Sequence, residues 1–175
     1  TSQKLKKAGE VMDYYNEIYL IFCKSFKQEL YVIDALNHQK TSKLEQNRQT
    51  LIKDADEGLE SLQAIQPYDD DDSIKSACKQ LLEYYKKEAV ESIPIFQGYM
   101  EKMEAFEQFK TAFEGKKDSE KTREDVDTYN AKVEELNKAI KAYDAEIQSI
   151  NNNKSNFINA WNQASDMFID THIPT

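Results

Sequence analysis

From Val126 to Thr171, apolar side chains return at alternating steps of three and four residues without a slip. One register runs Val126, Val133, Ile140, Ile147, Lys154, Trp161, Phe168. The other runs Tyr129, Leu136, Tyr143, Ile150, Phe157, Ala164, Thr171. This spacing lays a single stripe down one helix face. At a rise of ~1.5 Å, about 46 residues make a rod of roughly 70 Å. Such a rod cannot bury its stripe against itself, so companion helices must cover it. Turn residues are scarce, with 4 Gly and 3 Pro, which excludes an all-β fold that would need a reversal every ~8–12 residues.

The companions are legible in order. The sequence predicts an all-α, elongated, antiparallel four-helix bundle in one domain, with helices over about 3–38, 43–65, 72–114 and 119–171. The first carries the stripe Leu5, Ala8, Met12, Tyr15, Tyr19, Phe22, Phe26, Leu30, Ile33 and Leu36. A short polar connection makes the second its antiparallel neighbour, and Ser42 with Glu45 fits a capping box. Gly58 inside the second helix points to a close helix–helix approach. Pro67 stops that helix, and Asp71 or Asp72 can cap the third. Pro94 falls inside the third helix, where a missing N–H and a ring clash predict a kink or short break near Glu91–Ile93. Asp118 or Ser119 is the expected start of the fourth.

Laid side by side, these rods do not match in length. The second helix returns only part of the way along the first, and the third climbs past the top of that hairpin. Helices 3 and 4 therefore extend as a two-helix arm of roughly 30 Å, from about Gln97 to Leu136. Met100, Met103, Phe106, Phe109 and Phe113 give the arm a wide apolar face, with Phe109 off the seam. Met- and Phe-rich helical faces suit adaptable binding to a protein partner or a second copy.

Height matching also places Cys23, Cys78 and Lys154 near one level. A disulfide is allowed there if the Cα atoms lie within about 7 Å; the alternative is two thiols packed as small hydrophobes. Lys154 interrupts the fourth helix's seam. Either its stem reaches out to water, or an acid such as Glu57 meets it in a polar core layer.

No motif for chemistry emerges. Glu-x-x-His pairs for a di-iron bundle are lacking, and the chain holds only His38 and His172. The run Asp69–Asp72 lacks the later Gly and Glu of a calcium loop. No Gly-rich phosphate loop occurs. No catalytic, cofactor or metal residue is assigned, and the chain does not read as an enzyme. A net charge of −9 disfavours nucleic acid, which needs clustered Lys and Arg. The longest apolar run, Ile18 to Cys23, is far below the ~20 residues of a membrane span.

The start at Thr1-Ser2-Gln3 without Met, and the closing segment Phe157-Ile158-Asn159-Ala160-Trp161-Asn162 to Phe168-Ile169, resemble the mature part of uncharacterised bacterial surface lipoproteins with an all-helical domain. The resemblance implies a lipid anchor on a Cys upstream of residue 1 and an extracytoplasmic place in the cell envelope. It supplies no active-site residues. The leading functional expectation is a non-catalytic binding or scaffolding module that uses an apolar helical face. The alternative is a helical carrier holding a small apolar or amphipathic ligand inside the bundle.

Overall fold

A computed structural model describes residues 1–175. The protein is all-helical: α1 (Ser2–Asn37), α2 (Thr41–Ala64), α3 (Ser73–Lys87), a π-helical turn (Glu88–Ser92), α4 (Ile93–Glu114), a 3-10 turn (Asp118–Glu120) and α5 (Arg123–His172). Because the π turn joins α3 to α4, four antiparallel rods result. The expected spine is one unbroken helix of 50 residues, ~75 Å long. No helix is long and apolar enough to cross a membrane.

Around the bundle, α1 packs along α2, α2 along α3 and α3 along α5, while α1 and α5 meet over a smaller stretch. The core joins Leu44, Leu51, Ala55 and Leu62 of α2 to Ile74, Cys78, Leu81, Leu82 and Tyr85 of α3 and to Ile150, Trp161 and Phe168 of α5. Gly58 marks a tight crossing. A Cβ there would lie 2.9 Å from Leu82 Cδ1 and 3.1 Å from Ile21 Cγ2, so α1 and α3 close on α2 only because that carbon is missing.

On α1 the buried face differs from the expected one. Val11, Ile18, Phe22, Ser25, Glu29, Val32 and Leu36 are buried, whereas Tyr19, Phe26 and Leu30 of the aromatic stripe are exposed. The two stripes share Phe22 and Leu36. The inner one also follows three–four spacing but includes Ser25 and Glu29, which a purely apolar reading passes over.

The turns correct two expectations, the capping box at Ser42 and the start of the last helix. Between α1 and α2, Gln39 takes φ 52°, its N–H donates to Leu36 O, and Lys40 N–H donates to Ala35 O. This reversal leaves α2 free to start at Thr41, with no side-chain cap from Ser42. Glu45 pairs instead with Arg48 at 2.8 Å. Between α2 and α3, Tyr68 and Asp71 exchange backbone hydrogen bonds around Asp69 and Asp70, both at positive φ. That is the geometry of a type I′ turn, which Asp tolerates better than most residues. Asp71 Oδ1 accepts from Ser73 N–H. Finally, α5 is capped by Thr122 rather than Asp118 or Ser119, through a reciprocal box with Asp125. The 3-10 turn occupies the two expected starting residues.

Ahead of Pro94 the rod changes from α to π geometry. The π turn runs over Glu88–Ser92, and Ile93 N–H donates to Glu88 O. Widening the helix by one residue makes room for the proline ring and absorbs its missing N–H, so α4 restarts with Pro94 in its first turn.

Candidate functional site

Two regions stand apart from ordinary packing. The first is the arm. No residue between Phe96 and Ile150 is buried, and past the top of the α1–α2 hairpin α4 and α5 run as a pair without a third helix. Met100 packs on the edge of the main core. Met103 borders a recess of about 340 Å³ shared with Gln39 and Thr41 of the α1–α2 connection. The hairpin top therefore reaches about two turns past Gln97, and the free arm is shorter than the expected 30 Å. Phe106, Phe109 and Phe113 gather around Tyr129 of α5, with centroids 5.9, 6.4 and 4.7 Å away. Lys132 lies over Phe109 and Lys121 over Phe113. All five predicted residues are half-buried; stacking and lysine stems cover part of the face.

The second region is a polar layer halfway along the bundle. Lys154 Nζ lies 2.6 Å from Glu29 Oε1, and the Glu29 side chain is 4% exposed. Lys154 is thus paired, but with α1 rather than with Glu57. α2 turns Glu57 outward, where it meets Lys24 at 3.3 Å. Burial raises the Glu29 carboxyl despite the attraction of Lys154. The thiols are free: Cys78 is sealed in the core and pushed up to about 12 by burial, while Cys23 is half-buried beside Tyr19. Matching two residues in height does not set their directions around two helices, so the disulfide that the height match allowed is not formed, and the two cysteines stand as thiols.

Glu88, the first residue of the π turn, completes the layer. It is 1% exposed, and neither carboxylate oxygen has a hydrogen-bond partner. Burial pushes it up to about 7; the negative charge of Glu29 adds to the rise, and Lys154 and Tyr84 oppose it. One ammonium thus faces two carboxylates, and it bonds to Glu29. The Tyr84 hydroxyl donates to Ile150 O at 3.0 Å. Sequence reading missed Glu88 and Glu29. A cue exists: Leu81-Leu82 and Tyr84-Tyr85 are adjacent bulky pairs, which means that α3 is covered over more than one face and that Glu88, one turn on, is covered too.

Over this layer lies an open groove of about 600 Å³ between α3 and α5. Tyr84, Ile150 and Phe157 supply its apolar surface, and Tyr84 and Phe157 lie 5.3 Å apart by centroid. Glu83, Glu88, Glu91 and Glu146 line it, against Lys87 alone as a cation. Ser92 Oγ donates to Glu146 Oε1 at 2.6 Å. No three His, Cys, Asp or Glu side chains converge to hold a metal ion. Chemically, the groove offers fixed negative charge beside an aromatic wall. A scan against protein-family models, a search of curated proteins and a search of solved structures each return no match.

Proposed function

We propose that the protein is a non-catalytic binding module on the outside of a bacterial cell, and that its arm offers an apolar helical face to a protein partner. The observation that carries this reading is the absence of any buried side chain between Phe96 and Ile150, although Met103, Phe106 and Phe109 lie within that span. Two helices leave part of an apolar stripe facing water, and a third helix from a partner or a second copy would remove that surface. The test replaces Met103, Phe106 and Phe109 with Ser and compares photo-crosslinking from the arm on intact cells, with helicity followed by circular dichroism. Loss of one defined crosslinked species at unchanged helicity supports the reading. An unchanged crosslink pattern removes the arm from the function.

A carrier role is the second reading, favoured by the groove between α3 and α5. That groove differs from a closed apolar cavity: it is open and acidic. Its cargo must bring charge as well as hydrocarbon.

A further inference from the structure

The groove between α3 and α5 joins two independent features. One is its acidic lining, four carboxylates against one ammonium. The other is Glu88 among those four, buried, with the Tyr84 hydroxyl beside it committed to Ile150 O and no donor in hydrogen-bonding geometry. A buried carboxylate lacking a donor is destabilising, and every nearby cation is otherwise engaged or distant. Lys154 bonds to Glu29, Arg48 of α2 bonds to Glu45 and to Ala89 O, and Lys87 reaches toward Glu91 in solvent. Two partners relieve it: its own proton, which burial holds up to about 7, or a cation that arrives through the groove.

We propose that this groove binds small amphipathic primary amines, with the ammonium held by the Glu88 carboxylate and the stem laid along Tyr84, Ile150 and Phe157. An ammonium has three donors. Glu88 supplies acceptor oxygens, and Ser92 Oγ keeps its lone pairs because it donates to Glu146. The apolar wall distinguishes an amine with a hydrocarbon stem from a hydrated inorganic ion, and no convergent ligand set for a metal is present. The volume suits a ligand of small-molecule size. The groups around Glu88 are Glu29 from α1, Arg48 from α2, Tyr84 and Tyr85 from its own rod, and Glu146 and Lys154 from α5. Since Glu88 releases its proton near 7, the ligand competes with that proton and binds better on the alkaline side.

This inference rests on the carrier reading and is independent of the arm. The experiment is calorimetric titration of the whole chain with hexylammonium, 1-hexanol and Mg²⁺, at pH 6 and pH 8. Hexylammonium should bind saturably at pH 8 and about tenfold more weakly at pH 6, following the ionised fraction of Glu88. The alcohol should bind at least tenfold more weakly than the amine at pH 8. Glu88→Gln should remove the preference for amine over alcohol while circular dichroism stays unchanged, and the arm variant should bind hexylammonium normally. A short peptide with one central lysine separates a free amine from a protein lysine: tighter binding of either one keeps the primary ammonium as the recognised group and identifies its source. Equal affinity for amine and alcohol overturns the role of Glu88 but leaves a carrier of neutral cargo. Displacement of the amine by millimolar Mg²⁺, or no saturable binding of any amine, overturns the proposal; the alcohol comparison on the unaltered chain decides even if Glu88→Gln fails to fold.

Discussion

Glu88→Gln should make the protein's stability less dependent on pH. In the unfolded chain Glu88 ionises near its ordinary value of 4.5, and in the bundle near 7. Between these values the folded state holds the proton more tightly, so stability falls as pH rises. The contribution is fully present below about 4.5 and is lost once pH has passed 7. A shift of this size corresponds to about 3 kcal/mol at ~1.36 kcal/mol per pH unit, and to roughly 6–12 °C in melting temperature for a chain of this length. Glutamine keeps the shape and never ionises. Any fixed cost of its amide is the same at every pH and cancels when differences are compared. Urea unfolding of both proteins at several pH values from 4.5 to 8.5 gives the test. The stability of Glu88→Gln minus that of the unaltered chain should climb by about 3 kcal/mol over that range. A difference flat to within about 1 kcal/mol would mean that Glu88 finds a donor or water in solution, and the account of an orphaned carboxylate would be wrong.

Other expectations follow from the same packing. Lys154→Met leaves Glu29 buried without its cation and should cost about 3–5 kcal/mol, most of it recovered when Glu29→Gln is added; chemical denaturation of the double-mutant cycle measures this. Gly58→Ala should lower stability by about 1 kcal/mol because its Cβ would crowd Leu82 and Ile21, although the same change on an exposed helix face gains about that much. In thiol labelling of the native protein, Cys23 should react at once and Cys78 only after unfolding, since burial holds Cys78 as an unreactive thiol; equal labelling rates would contradict its sealed position.

Periodicity and punctuation carried the architecture. The long rod of α5 followed from an uninterrupted three–four repeat, the disturbance before Pro94 from the proline, and the crossing at Gly58 from a glycine where helices disfavour it. Rotation about each axis was harder to read. On α1 two stripes compete. The richer in aromatics has the stronger apolar pattern, yet the buried one runs through Ser25 and Glu29. Choosing by that pattern leaves Glu29 off the stripe, so the sequence offers Lys154 an acid of α2, Glu57, in place of its partner on α1. Polar residues enter a core when a partner from another helix meets them there, and such a meeting is a property of the assembled bundle. Glu88 was obscured for a related reason: only the assembled groove reveals a carboxylate that is covered yet unsatisfied.

The π turn also settles which way the arm looks. One extra residue advances the following helix by about 100° relative to an uninterrupted one. Through α3 the buried side is shared among three neighbours; after the turn, Phe96 is aimed at Tyr143 of α5, 5.0 Å away by centroid. The bulge thus works as an angular offset between body and arm. Excising one residue from Glu88–Ser92 would restore an uninterrupted α-helix, swing the Met and Phe side chains of α4 about a quarter-turn off α5, and detach the arm's aim from the chemistry of the groove below it.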